Sequence, residues 1–133
     1  MPKRKPILLI LDSDADYVDI IKGKLESMGW SVKRVKNLEL AKKELMKSVK
    51  SKSASGVKQT VVFLLDPHLE IHPEEILSEF IKNQEYQYPK LIIHTKNCSR
   101  KDIQVFKQIG IHDFWIKGHL SLSELLRHIK KNI

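Results

Sequence analysis

Three acidic residues at alternate positions follow directly on an apolar run near the start of the sequence. Residues 7–11 read Ile-Leu-Leu-Ile-Leu, and Asp12, Asp14 and Asp16 come immediately after them. Carboxylates this close together repel one another, and such clusters usually have their charge relieved by a cation, a phosphoryl group or solvent. Metal binding and phosphoryl chemistry are therefore the two kinds of function to test against the rest of the chain.

A calcium-binding EF-hand does not explain this spacing. Asp12, Asp14 and Asp16 do occupy the first, third and fifth positions of such a loop. The sixth position requires glycine but is Tyr17, and the twelfth requires a bidentate glutamate but is Gly23. The acidic residues also follow an apolar strand-like run, whereas an EF-hand loop follows a helix.

The apolar pattern alternates between strand and helix along the whole chain. Short apolar segments predict strands at 7–11, 30–35, 60–66, 90–95 and 113–117. Apolar residues at helical spacing predict a helix after each of them. We therefore predict an α/β fold of five βα units, with a parallel sheet covered by helices on both faces. In such a sheet, ligands bind beyond the carboxyl ends of the strands.

Helix starts are predicted from capping residues. Asn37 is predicted to be the N-cap of the second helix. Ser99 with Asp102 opens the fourth helix, and Ser121 with Glu124 forms a capping box at the start of the fifth.

Length and composition predict one soluble domain spanning 1–133, with a flexible basic start at 1–6 and a flexible loop at 49–59. No apolar run reaches the roughly 18 residues of a membrane helix, so membrane insertion is not expected. The single cysteine, Cys98, excludes an intrachain disulfide and fits a cytoplasmic location.

The net charge of +8 raises the question of a nucleic-acid partner. The lysines are spread along the whole chain, and no aromatic residues are interleaved with them as stacking platforms. This pattern favours a solvated basic surface over a nucleic-acid site.

The residues at the predicted strand ends resemble those of the response-regulator receiver domains of two-component signalling. Asp12 ends the first strand, Asp66 follows Val-Val-Phe-Leu-Leu, Thr95 follows Leu-Ile-Ile-His, and Lys117 lies in the fifth strand. The match covers nearly the whole chain. It implies the flavodoxin-like (βα)5 fold with strand order 2-1-3-4-5.

The resemblance also implies a role for each residue. Asp66 is the expected phosphoacceptor, which takes a phosphoryl group from a sensor histidine kinase or phosphotransfer protein. Mg²⁺ is expected on Asp12 and Asp66, with the backbone of His68 as a further ligand. Thr95 and Lys117 are expected to contact the phosphoryl group, and Lys117 to pair with Asp66 before phosphorylation.

Phe114 matches the aromatic residue that switches position in this family. The resemblance implies that phosphorylation buries this ring and remodels the face formed by the fourth helix, the fifth strand and the fifth helix. A downstream protein partner is expected on that face. The chain is therefore predicted to be a signalling domain and not an enzyme.

Four positions depart from the family pattern. Ser13 replaces the second acid of the metal site, so Mg²⁺ binding is expected to be weaker. Lys96 stands where a small residue is usual, and Glu70 where a loop proline is usual. Gly118 replaces a proline with a cis peptide bond, so a trans bond is expected. These departures favour, as an alternative, a degenerate receiver that binds partners without phosphorylation.

A phosphatase of the haloacid dehalogenase type is the enzyme alternative. Asp12 and Asp14 resemble its nucleophile and acid/base pair, and Thr95 and Lys117 resemble its second and third motifs. Its late acidic pair is missing, however, and Asp66 would have no role.

Overall fold

The computed structural model describes residues 5–44, 60–69, 75, 77–78, 90–96, 98–118 and 121–131. The elements in these ranges are β1 (Ile7–Leu11), α1 (Ala15–Glu26), β2 (Ser31–Arg34), α2 (38–44), β3 (Val61–Leu65), a 3-10 turn (Pro67–Leu69), β4 (Lys90–Ile93), α3 (Arg100–Gln108) and α4 (Leu122–Lys130). Most of the predicted third helix lies outside the described residues, so α3 and α4 are the fourth and fifth helices of the prediction. The chain start up to residue 4, the predicted loop 49–59 and Glu70 also lie outside them.

The four strands form one parallel sheet in the order β2-β1-β3-β4. β1 is central and pairs with β3 from Ile7 opposite Val61 to Leu11 opposite Leu65. The predicted α/β class and the order 2-1-3-4 are thereby confirmed. This order places the carboxyl ends of β1 and β3 side by side, and the residues that follow them are Asp12 and Asp66.

Residues 113–117 run beside β4, in the position predicted for the fifth strand. Three backbone hydrogen bonds join them to the end of β4 and the residues after it. The amide of Ile93 donates to the carbonyl of Asp113 (2.9 Å), and the amide of Trp115 donates to the carbonyl of Ile93 (2.7 Å). The amide of Lys117 donates to the carbonyl of Thr95 (2.9 Å). The pairing consists of one parallel bridge, between Ile93 and Phe114. We call residues 113–117 the edge segment.

Alternate residues of the strands pack on opposite faces of the sheet, which is the two-residue period of a β-strand. All five residues of β3 are buried, because helices cover both faces. One face packs against α2 and α3, through Leu9, Leu11, Phe63, Leu65, Leu38, Ala41 and Phe106. The other packs against α1 and α4, through Leu8, Ile10, Val62, Leu64, Val18, Ile21, Leu25, Leu125 and Ile129.

The three predicted N-caps are confirmed. The side chain of Asn37 accepts a backbone hydrogen bond of 2.8 Å from the amide three residues on. Ser99 with Asp102, and Ser121 with Glu124, form reciprocal capping boxes at the starts of α3 and α4. Among the described residues, no helix combines the length and apolar character needed to span a membrane.

Candidate functional site

The strand ends meet at a cleft of about 550 Å³. It is lined by Ser13, Asp14, Tyr17, Asp66, His68, Thr95, Lys96, Lys117, Gly118 and Leu122. Parallel strands place their carboxyl ends at one edge of the sheet, so residues far apart in sequence converge there. Of the predicted site residues, Asp66, Thr95 and Lys117 lie in the cleft wall, and Asp12 is in contact with Lys117.

Asp12 is a buried carboxylate with a partner on each oxygen. Oδ1 accepts a 2.9 Å hydrogen bond from the amide of Asp14. Oδ2 lies 2.6 Å from Nζ of Lys117, and the two side chains are only 2% and 15% exposed. A buried carboxylate is costly without a counter-ion, and Lys117 supplies it. The ammonium therefore pairs with Asp12 and not, as the resemblance implies, with Asp66.

Tyr17 covers this ion pair from α1. Nζ of Lys117 lies 5.4 Å from the centre of the tyrosine ring, which is within range of a cation–π contact. The Tyr17 hydroxyl forms a 2.8 Å hydrogen bond with Nε2 of His94, and the two rings are stacked. Burial, together with the charges of Asp12 and Asp14, raises the pKa of Tyr17 to about 12. The phenol is thus a hydrogen-bond donor at neutral pH.

His94 links Tyr17 to the edge segment. Its Nδ1 lies 2.6 Å from the carbonyl oxygen of Trp115. A carbonyl only accepts, so Nδ1 carries the hydrogen and the neutral ring accepts from Tyr17 at Nε2. Burial is the main cause that lowers the pKa of His94; the charge of Lys117 also lowers it, and the bond to Trp115 opposes them. The sequence does not predict this Tyr17–His94 contact, because the residues are 77 positions apart and carry no local motif.

Asp66 is the half-buried carboxylate of the cleft. Its backbone amide donates a 2.9 Å hydrogen bond to the carbonyl of Leu11, which continues the sheet pairing to the end of β3. Its Oδ1 accepts a 3.1 Å hydrogen bond from the amide of His68. Thr95 lines the same cleft and is buried, while Lys96 beside it is exposed.

The cleft is lined by three of the four departures from the family pattern, which are Ser13, Lys96 and Gly118. Ser13 is exposed at the cleft. Gly118 has a φ of +85°, and no peptide bond among the described residues is cis, so the trans bond predicted before Gly118 is confirmed.

Phe114 is partly buried and packs on the core, with its ring centre 6.5 Å from that of Phe106. Asp14 is the N-cap of α1, where its Oδ1 accepts a 3.1 Å hydrogen bond from the Tyr17 amide.

As arranged, the donors at this edge do not fit Mg²⁺, which requires a near-octahedral set of oxygen ligands. Both carboxylate oxygens of Asp12 are engaged, the carboxylate of Asp14 caps α1, and Ser13 offers only a hydroxyl. In the part of the chain that the structure describes, no three His, Cys, Asp or Glu side chains are grouped to hold a metal. Of the predicted set, Asp66 and His68 line the cleft, so one carboxylate is left where Asp12 and Asp66 were expected together.

Comparison with solved structures gives the class of this fold, which is that of response-regulator receiver domains. No protein-family model matches the sequence, and no curated protein matches it. The chain is similar to the chemotaxis protein CheY4 of Vibrio cholerae, with a TM-score of 0.70 and 14% identity over 98% of this chain and 100% of that one. It is also similar to a response regulator from Thermotoga maritima, with a TM-score of 0.67 and 17% identity over 98% of each chain.

A third similar structure is the receiver domain of the histidine kinase CKI1 from Arabidopsis thaliana, complexed with Mg²⁺ and BeF₃⁻. It has a TM-score of 0.74 and 18% identity over 95% of this chain and 90% of that one. At these identities the similarity establishes the receiver-domain fold of the chain.

Proposed function

We propose that this chain is a receiver-type signalling module of a two-component pathway, with Asp66 as its phosphoacceptor. The observation that supports this proposal best is the convergence of Asp66, Thr95 and Lys117 on one cleft at the carboxyl edge of a receiver-type sheet. Three different strand ends supply these residues. Asp66 is the carboxylate among them that is open to the cleft.

The proposed reaction is a phosphoryl transfer to Asp66. A carboxylate oxygen of Asp66 attacks phosphorus, and the bond from phosphorus to the donor breaks with its electron pair leaving on the donor. The donor is a phosphohistidine of a sensor kinase or phosphotransfer protein, and the product is an acyl phosphate. The hydroxyl of Thr95 donates a hydrogen bond to a phosphoryl oxygen, and Lys117 contacts the phosphoryl group once its ammonium leaves Asp12.

The output is proposed to be a change in protein–protein contacts on the surface formed by α3, the edge segment and α4. Phe114, the proposed switch aromatic, lies in the edge segment and packs toward Phe106 of α3. Trp115 stacks on His128 of α4 with 4.5 Å between ring centres. The edge segment thus contacts both helices, and a downstream protein that binds there can respond to a change at the cleft. In this role the chain signals and turns over no substrate.

A second candidate function is a receiver that binds its partner without phosphorylation. The contact between Lys117 and Asp12 favours it, because the lysine is already held away from Asp66 by a 2.6 Å ion pair. The phosphatase alternative is not proposed, because Asp12 is 4% exposed and both its oxygens are engaged, so it is not placed to attack a substrate.

Intact-mass spectrometry after incubation with acetyl phosphate separates the two candidates. The wild type and Asp66→Ala are compared with and without MgCl₂, next to a competent receiver domain as a positive control. A single phosphoryl adduct in the wild type that Asp66→Ala lacks, in either buffer, supports Asp66 as the phosphoacceptor. No adduct while the positive control is labelled rejects that role and leaves the phosphorylation-independent module.

A further inference from the structure

We propose that the ammonium of Lys117 takes the place of a divalent cation at Asp12, so that the acidic corner of the cleft is neutralised from within the chain. The oxygen Oδ2 of Asp12 lies 2.6 Å from Nζ of Lys117. The other oxygen of Asp12 accepts the Asp14 amide at 2.9 Å. A metal ion that bound Oδ2 of Asp12 would therefore have to displace the lysine.

The surroundings hold the ammonium in this place. Asp12 lies on one side of it, and the face of Tyr17 lies 5.4 Å away. Tyr17 is fixed in turn by its 2.8 Å hydrogen bond to His94, which is anchored on the carbonyl of Trp115 at 2.6 Å. An anion, an aromatic face and low exposure together make a binding site for a monovalent cation.

At Asp12 itself, one negative charge meets one ammonium. Ser13 contributes no charge, and the carboxylate of Asp14 is directed to the amide of Tyr17 at the start of α1. Asp12 is thus the carboxylate in direct contact with Lys117, and the single positive charge of the ammonium balances it. A second carboxylate at position 13 would favour Mg²⁺, because protein sites usually hold Mg²⁺ through one or two carboxylates.

Thermal unfolding in MgCl₂ tests this proposal, with NaCl of equal ionic strength as the reference. A metal that binds the folded state raises the melting temperature in a saturable way. We expect no saturable rise for the wild type or for Ser13→Asp, because Lys117 still holds Asp12. We expect a saturable rise for Ser13→Asp combined with Lys117→Met. Ser13→Asp combined with Lys96→Met is the matched control, since Lys96 lines the same cleft and is exposed, and it should show no rise.

Three results would overturn the proposal. They are a saturable Mg²⁺ effect in the wild type, an effect in Ser13→Asp as large as in the double variant, and a folded double variant that shows no effect. If the double variant does not fold, NMR of the wild type decides. The Nζ resonance of Lys117 is expected to stay unchanged in millimolar MgCl₂. A shift of this resonance on addition of the metal would reject the proposal.

This inference rests on the contacts of Lys117 and stands apart from whether Asp66 is phosphorylated. An adduct on Asp66 that forms equally with and without MgCl₂ supports both proposals. An adduct that requires MgCl₂ supports Asp66 as the phosphoacceptor and overturns the proposal that Lys117 takes the place of the cation. If no adduct forms, only the role of Asp66 as phosphoacceptor is overturned. The role of Lys117 is still decided by thermal unfolding in MgCl₂.

Discussion

The hydroxyl of Tyr17 on α1 lies 2.8 Å from Nε2 of His94, the residue that follows β4. On the other side of the imidazole, Nδ1 donates to the carbonyl of Trp115 in the edge segment. One neutral histidine therefore connects the first helix with the last strand-like segment, directly beside the ion pair of Asp12 and Lys117. A proton on Nε2 removes the acceptor that Tyr17 requires, so this contact depends on pH.

We predict that the free energy of unfolding decreases as the pH falls below about 6.5, the ordinary pKa of histidine. Burial lowers the pKa of His94 in the folded protein, so the unfolded chain takes up the proton at a higher pH. Stability from the neutral ring is complete above the unfolded pKa and is lost as the pH falls towards the folded pKa. The slope is at most about 1.4 kcal/mol per pH unit for one proton.

Urea denaturation from about pH 8 to about pH 5 measures this slope, above the range in which unperturbed carboxylates titrate. His94→Gln should flatten the curve in that interval. His112→Gln is the matched control, because His112 is exposed, and it should retain the wild-type slope. A wild-type slope in His94→Gln would assign the pH dependence to another group.

Removal of the Tyr17 hydroxyl should destabilise the fold. Tyr17→Phe keeps the ring over Lys117 but leaves Nε2 of His94, a buried acceptor, without its donor. We expect a loss of about 1–3 kcal/mol in the free energy of unfolding, measured by chemical denaturation. In a His94→Gln background the same change should cost clearly less. Equal costs in the two backgrounds would mean that the hydroxyl contributes little through His94.

The fold could be predicted from sequence because its signals are local. The apolar run Val61–Leu65 is a strand buried on both faces, and the capping residues Ser99 and Ser121 mark helix starts within three residues of their partners. The edge segment was predicted as a full strand, but it pairs with β4 through a single bridge. Its apolar sequence indicates a strand and does not show how far the pairing with β4 extends.

The candidate site could be predicted only in part. Strand ends in a parallel sheet must converge, so the placement of Asp66, Thr95 and Lys117 in one cleft follows from the topology. The partner of Lys117 does not follow from it, because Asp12 and Asp66 end neighbouring strands and both are within the region that a lysine side chain can sample. Burial decides between them, since the side chain of Asp12 is 2% exposed and Asp66 is only half buried.

The capping box at the start of α4 should contribute measurably to stability. The Ser121 hydroxyl accepts a 3.2 Å hydrogen bond from the Glu124 amide. The Glu124 carboxylate in turn accepts a hydrogen bond from the Ser121 amide. We expect Ser121→Ala to lower the free energy of unfolding by about 0.5–2 kcal/mol. Ser123→Ala, an exposed serine in the first turn of the same helix, should stay within about 0.5 kcal/mol of the wild type. Equal losses in the two variants would argue against the cap.

The ion pair of Lys117 and Asp12 should appear as a strong energetic coupling. Lys117→Met leaves a buried carboxylate without a counter-ion, so we expect a loss of about 3–5 kcal/mol in the free energy of unfolding. Lys96→Met removes an exposed cation from the same cleft and should change stability by less than about 0.5 kcal/mol.

A double-mutant cycle by chemical denaturation completes the test. Asp12→Asn combined with Lys117→Met removes both charges, so it should cost less than the sum of the two single changes. The expected coupling energy is about 0.5–3 kcal/mol, as for residues in direct contact. Additive losses would mean that the ammonium of Lys117 does not stabilise Asp12 in solution.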